Sequence, residues 1–509
     1  MRPTLLAVLA ALLLPAVAQA APRVHTVRAP HRFDVVGAQW RGGPTSVDVR
    51  ARRAGGTWSR WVTLDKAEPV WAGGDDVVQV RSSGRLSGLR LRYVNARVPA
   101  ATTAAAHKTQ VTLPTGGTLP IIPRAAWGAN RCKPRDIAGY GRVDMAFVHH
   151  TLSLNAYRRS ESASIVLGIC LFHRNVNHWD DIGYDFLVDR YGQVFEGRKG
   201  GIDSPVIGAQ AGGFNIYSTG VAAIGDFRYR RLPAAGMNAL ARLLAWKLSL
   251  SGVPAEGTVS VTSAGGRFTP YPAGTKVTLN RIAGHRDADS TECPGAALYA
   301  QLPALRSQVA QLEGPVSHLD LAVAQPKLVY PQPVVFAGRL TPAPGLGVPP
   351  GAAVEIRDQL PKGGRVLATV PLAPDGSFSG SLPLVHDDVL IASFAGGGGL
   401  PRVVSGAWHV TVAPAVSLSS SAASVTRGAT VSLGGTVTPP KSRVTIDEQE
   451  LRGTRYRRVR TLRLRTRKGA FSVVVGLNRP GSFRFIARTA ASHLADAGQS
   501  APVAVRVSG

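Results

Sequence analysis

The stretch 143-VDMAFVHH-150, a short apolar run closing on two adjacent histidines, decides how the middle of this chain is read. An apolar run of this length, followed by a helical period, reads as a buried strand. The helix falls at about 160–177, where Ile165, Ile169 and Phe172 recur at helical spacing. Next come 184-YDFLVD-189 and 193-QVFEGR-198 around Arg190-Tyr191-Gly192, a hairpin by pattern, then a strand within 219-TGVAAIGD-226. Past Pro233 a second helix lines up Met237, Leu240, Leu244 and Leu248, and a last one covers about 295–312. The intervening 257–279 reads as an inserted β-hairpin or long loop. Strands alternating with helices predict a mixed α/β domain with a central sheet over 121–312.

Outward from that domain the patterns change. Residues 21–99 alternate as strands do, in 46-SVDVRAR-52, 77-VVQV-80 and 89-LRLRYVNARV-98. Trp40, Trp58, Trp61 and Trp71 are available there for a core or a binding face. The Ala-, Thr- and Gly-rich tract 100–120 reads as a linker. Residues 313–509 carry two copies of one β module. Gly338-Arg339-Leu340-Thr341-Pro342 recurs as Gly435-Thr436-Val437-Thr438-Pro439, 354-VEIRD-358 as 444-VTIDE-448, and 374-PDGSFSG-380 as 467-RKGAFSV-473. The fold class expected is therefore multidomain. A central mixed α/β domain is flanked by an N-terminal all-β domain and two C-terminal immunoglobulin-like β-sandwiches, at 313–414 and 415–509. The second copy carries 455-RYRRVRTLRLRTRK-468. Arg463, Arg465 and Arg467 are expected on one strand face and Leu462 and Leu464 on the other. That face is either a grip for a polyanion or a solvated edge strand that discourages aggregation.

Arg2 followed by an apolar run over 5–18 and Ala18-Gln19-Ala20 reads as a signal peptide over 1–20. Export is expected, to the extracellular space or the cell wall, with no transmembrane segment after residue 20 and a monomeric state. The 59 Lys and Arg against 31 Asp and Glu give a formal charge of +28. Such a surface attracts polyanions, in an exported protein anionic wall polymers first. No zinc-finger spacing, helix-turn-helix signature or RNP-like stretch points to specific nucleic-acid recognition. Three cysteines are an odd number for an oxidising compartment. They leave either one disulfide and a buried thiol, or a Cys132–Cys170 disulfide with Cys293 spent as a metal thiolate. The position of Cys293 beside His285 favours the second.

The segment 284-GHRDADSTECPG-295 offers a ring nitrogen and a thiolate eight residues apart in a loop rich in turn formers. The doublet His149-His150 offers a third donor, and a strand sends the two rings to opposite faces. Two imidazoles and a thiolate suit Zn²⁺ with one position left for water. Taken singly, each histidine is as well explained by packing.

The pieces 124-RAAWG-128, 147-FVHHT-151, 179-WDDIGYDFLVDRYGQVFEGR-198, 208-GAQAGGFNIYSTGVAAIGDF-227 and 284-GHRDADSTECPG-295 occur in order. In this they resemble the zinc amidase family that includes peptidoglycan recognition proteins and phage T7 lysozyme. The layout of the whole chain is similar to that of secreted actinobacterial wall amidases. The resemblance implies zinc ligands at His149, His285 and Cys293, and Tyr184 near the reacting water. It implies hydrolysis of the amide between N-acetylmuramic acid and L-alanine in peptidoglycan, with Tyr184 also bonding the oxyanion. Thr291 stands where the phage enzyme has a lysine, so a hydroxyl would assist in place of an ammonium. Gln210 stands where recognition proteins often have histidine and is expected to be a neutral groove donor. Phe214 and Asn215 are expected along the same groove, and Glu196 is a candidate acid–base residue unless an Arg198 or backbone partner makes it purely structural. His178, Asp180 and Asp181 are expected to cap a helix or shape the groove rather than to bind metal. Two rival readings are a catalytically silent peptidoglycan-binding receptor and a metal-free cysteine hydrolase using Cys293 with His285.

Overall fold

The computed structural model describes residues 24–41, 46–64, 68–84, 87–360, 364–492 and 495–509; the expected signal peptide lies outside them. Among these residues a seven-stranded sheet organises the middle of the chain. Its spatial order is Ile282–Gly284, Met145–His150, Ser218–Ala223, Phe186–Val188, Val194–Glu196, Thr118–Ile122 and Thr109–Thr112. The first four run parallel, and the pair around Gly192 forms the expected antiparallel hairpin.

All six residues of Met145–His150 are buried because both faces of the sheet are covered. On one face Ala234–Leu250 and Leu302–Glu313 pack over Ala146, Val148, Val221 and Ile282. On the other, Ser162–Asn175 packs over Ile122, Leu187, Phe195 and Ala222. Residues 100–120, expected as a linker, carry the short helix Ala100–Ala105 and the two strands at the far edge of the sheet. Val111, Leu113, Leu119 and Ile121 alternate along them and are buried in the core. This two-residue period outweighs a linker-like composition.

The N-terminal β region is a five-stranded antiparallel sheet, ordered Val62–Thr63, Val47–Arg52, Val70–Ser82, Val24–Arg41 and Ser87–Val94. It does not stand apart. Val35, Trp71, Ala96 and Val98 share one core with helix Ser162–Asn175. Two glycines set the closeness of this packing. A Cβ on Gly37 would lie 2.2 Å from the Phe172 ring, and one on Gly168 would lie 2.6 Å from Val35. Of the four tryptophans, Trp71 is buried in this core. Trp61 is stacked by Arg50 and Arg81, with guanidinium carbons 4.5 and 4.4 Å from the ring centroid. Cys132 and Cys170 form a disulfide between the helix and the loop after Arg131, while Cys293 is outside any disulfide.

Beyond the last helix, each C-terminal module has strands facing one another across a single core. The first centres on Phe336, Ile356, Phe378 and Leu390, the second on Leu433, Ile446, Phe471 and Phe485. The repeated pieces occupy equivalent strands, Pro333–Thr341 with Thr430–Thr438 and Ala353–Asp358 with Arg443–Arg452. Arg455–Arg465 is an edge strand of its sheet. Arg463 and Arg465 are exposed on it, but Arg467 lies past its end in a turn, so the expected three-arginine face is two residues deep. Its inner neighbour supplies counter-charges: Arg460 Nε lies 2.6 Å from Glu448 Oε2.

Candidate metal centre and cleft

Strand alternation separates the two histidines of the doublet. His150 takes the side of Ala146 and Val148, where its Nδ1 accepts the Phe227 N–H at 3.2 Å. Burial pushes its pKa down to about 3, so it is a neutral ring and makes no ion pair with Asp226. His149 takes the opposite side. Gly284 lies across from Val148 in the parallel ladder, and that register brings His285, the next residue, beside His149. The two ring centroids are 4.5 Å apart. Cys293 closes the group with Sγ 3.7 Å from His149 Nδ1. One donor atom from each of His149, His285 and Cys293 lies within 4.8 Å of the other two. Tetrahedral bonds of about 2.0–2.3 Å require donor separations of roughly 3.3–3.8 Å, a range that the 3.7 Å between Cys293 Sγ and His149 Nδ1 meets, so the group is a candidate zinc site.

The outward nitrogen of each ring is spoken for. His149 Nε2 lies 2.6 Å from Gln210 Oε1. Gln210 Nε2 donates to Ser218 Oγ at 2.8 Å, and Ser218 Oγ donates to the Phe214 carbonyl at 2.9 Å. That chain fixes the amide with its oxygen toward His149, so Nε2 carries the proton and Nδ1 is left as a donor pair facing Cys293. Burial first, then the neighbouring His285, holds the His149 pKa well below its ordinary value and keeps the ring in the neutral, ligating form. His285 repeats the arrangement: its Nε2 lies 2.8 Å from Asp289 Oδ2, which also accepts the Gly212 N–H at 2.9 Å. The thiolate position is held by the His150 N–H, 3.3 Å from Sγ.

The centre opens into a cleft of about 550 Å³ whose walls include Trp179, Tyr184, Asn215, Phe268 and Thr291. Leu152, at φ 50° in the left-handed region, also lines it. Such backbone conformations cluster at functional sites. Tyr184 packs its ring against His149, centroids 5.2 Å apart, and its hydroxyl donates to Glu68 Oε1 at 2.7 Å. Thr291 Oγ1 accepts the Cys293 N–H at 3.2 Å and so ties the ligand loop. Asn215 Oδ1 accepts the Gln210 and Ala211 N–H groups at 2.9 Å, fixing the groove segment.

Two expectations change, and for Glu196 the structural alternative holds. Gln210 lines the cleft, but its side chain is committed to His149 and Ser218, which makes it an orienting residue rather than a groove donor. Phe214 is fully buried against Phe147 and Tyr271 and does not line the cleft. Glu196 also lies outside it; Oε2 accepts the Arg124 N–H at 3.1 Å, and burial raises its pKa. Its work is to hold the 124–127 turn. Asp181 ties its turn, taking the Ile182 and Lys199 N–H groups at 2.9 Å and Arg124 at 3.1 Å.

Sequence reading missed Asp289 and Glu68. Asp289 had a signal, since its i+4 spacing from His285 places the two together on one helical turn. Glu68 had none: it sits 116 residues before Tyr184, in the loop leading to the strand Val70–Ser82 of another sheet.

The chain is similar to known proteins over the same region. The family described as N-acetylmuramoyl-L-alanine amidase matches residues 139–296. Peptidoglycan-recognition protein SC1a/b of Drosophila simulans is 25% identical over 182 residues, 36% of this chain and 83% of that protein. Peptidoglycan-recognition protein LB of Drosophila melanogaster is 28% identical over 201 residues, 38% of this chain and 73% of that protein. An N-acetylmuramoyl-L-alanine amidase of Mus musculus is 25% identical over 181 residues, 35% of this chain and 29% of that protein. The solved structure of wild-type Drosophila PGRP-LB is 26% identical, with a TM-score of 0.29, covering 36% of this chain and 92% of that one. On the family match and these relatives, the centre of the chain is similar to amidase and peptidoglycan-recognition domains of insect and murine proteins, with β-rich regions on both sides.

Proposed function

We propose that this chain is a zinc-dependent hydrolase of the amide between N-acetylmuramic acid and L-alanine in bacterial peptidoglycan. One observation carries the reading. Two imidazoles and a thiolate converge at the cleft with their outward nitrogens already bonded to Gln210 and Asp289. Ligating histidines characteristically have their second ring nitrogen held in this way, and here the ring nitrogen left free on His149, Nδ1, lies 3.7 Å from the Cys293 thiol position.

His149, His285 and Cys293 would hold a zinc ion, which would supply Lewis acidity toward a carbonyl and toward water in the cleft. The chain's residues do the rest. Gln210 and Asp289 hold the two rings in the ligating tautomer. The Tyr184 phenol, packed on His149, positions the attacking water in the cleft. Thr291 lines the cleft beside Cys293, where its hydroxyl is a neutral donor for the developing oxyanion. The proton lost by water passes to the leaving amine of alanine.

Supporting this setting are the signal-like residues 1–20 and the charge of +28, which suit an exported protein working among anionic wall polymers. We read the two C-terminal modules as immunoglobulin-like sandwiches, on their paired sheets and repeated strands.

The test is zinc content by elemental analysis, with release of new L-alanine amino termini from wall fragments before and after chelation. Release that stops on chelation and returns with zinc supports the reading. Binding without release would make the protein a receptor, and release that survives chelation but fails on thiol alkylation would make it a cysteine hydrolase.

A further inference from the structure

The cleft is not built by the central domain alone. Trp40, Thr63, Leu64 and Glu68, all from the N-terminal β region, form part of its wall. Glu68 reaches furthest into the machinery. Its Oε1 lies 2.7 Å from the Tyr184 hydroxyl and 3.0 Å from His173 Nε2. One further bond sets the proton positions. The Gly183 N–H donates to His173 Nδ1 at 3.1 Å, so Nδ1 is the acceptor and Nε2 carries the hydrogen. Glu68 Oε1 therefore receives two hydrogen bonds, one from the imidazole and one from the phenol. His173 is in turn fully buried and stacked on Trp179, centroids 4.5 Å apart.

A phenol has a single proton. With that proton directed to Glu68, the Tyr184 oxygen offers the cleft only lone pairs. It can accept a hydrogen bond from water and cannot at the same time donate one to an oxyanion. This reverses half of the role expected from the resemblance. A second observation points the same way: Glu68 Oε2 is buried and has no hydrogen-bond partner among the described residues. A buried carboxylate oxygen without a partner is costly unless something bound in the cleft completes it.

We infer that Glu68, delivered by the N-terminal β region, is a positioning residue of the catalytic site that holds the Tyr184 hydroxyl as a hydrogen-bond acceptor toward the attacking water. The inference rests on the amidase reading for its consequence in turnover, and on geometry alone for the grip on Tyr184 and His173. The N-terminal β region is then part of the enzyme rather than an accessory to it.

The experiment uses the full chain with Glu68→Ala, Glu68→Gln, Tyr184→Phe and the double variant Glu68→Ala/Tyr184→Phe. With zinc content at the wild-type level, E68A is expected to lower kcat at least about tenfold with KM nearly unchanged. E68Q, which keeps a carbonyl acceptor, recovers part of the loss. Adding E68A to Y184F should cost less than about twofold more, because the carboxylate acts through the phenol. Full additivity, or loss of zinc in E68A, overturns the assignment. A second arm needs no turnover: in the metal-free proteins, amide hydrogen exchange at Gly183 should quicken in E68A, since the bond to His173 loosens with its anchor. Unchanged exchange overturns the grip itself. Should the wild-type chain release no alanine amine, the amidase reading fails and the exchange arm alone decides for or against the positioning of Tyr184.

Discussion

At the residue scale, the site depends on groups that never touch a metal. Gln210→Leu removes the acceptor that fixes the His149 tautomer while keeping the side chain's bulk. Zinc affinity is expected to fall about 10–100-fold, measured by competition with a chromogenic chelator. Glu313 makes a separate, measurable statement about the fold. It is buried at the end of the last helix, and burial pushes its carboxyl from 4.5 to about 7, although Oε1 accepts the Ala255 N–H at 2.6 Å. A raised carboxyl pKa means the folded chain holds a proton that the unfolded chain has released. Its contribution is therefore present below about pH 4.5 and lost as pH rises to about 7. Glu313→Gln should flatten the decline of thermal stability over that window. An unchanged pH profile of Tm would remove this group from the account.

At the element scale, the helix Ser162–Asn175 carries the most consequence per residue. Gly168→Val would drive a branched side chain into Val35 and is expected to cost about 1–3 kcal/mol of stability, read as a lowered Tm with the two sheets less firmly joined. A Tm within a degree of the wild type would mean the contact yields easily. The sequence showed this helix clearly, because Ile165, Ile169 and Phe172 keep helical spacing, and showed the strand Met145–His150 through its apolar run. It could not show that the helix serves two sheets, since apolar residues nearly all round its surface leave the identity of each neighbour open. The stretch 100–120 was misread because its alternation is short and set among Ala, Thr and Gly. Phe214 was placed in the groove from its neighbours in the chain, yet the turn before Ser218 points it inward to Phe147.

At the scale of the whole molecule, the candidate metal ligands were legible and their surroundings were not. His149, His285 and Cys293 belong to recognisable local motifs. Glu68 reaches them only because one sheet packs on the helix of another, and nothing in its own neighbourhood of sequence says so. Charge acts over the same long range. If the edge strand Arg455–Arg465 helps hold the protein at an anionic wall, Arg463→Glu with Arg465→Glu should reduce wall retention severalfold at low salt. The difference should vanish near 1 M salt, where the Debye length is about 3 Å. Equal retention of variant and wild type in a sedimentation assay would assign those arginines to solubility alone.

The interlocked glycines, Gly37 under Phe172 and Gly168 under Val35, bear on how this protein can be cut and recombined. A boundary drawn at the edge of the family match would bare a surface shaped for backbone rather than for water. The smallest portable piece then includes the strand Val24–Arg41 and runs through the last helix, so grafting the candidate metal-binding portion alone onto another scaffold should yield sticky, poorly expressed protein. Homologues that swap their leading module would have to exchange the matching helix with it.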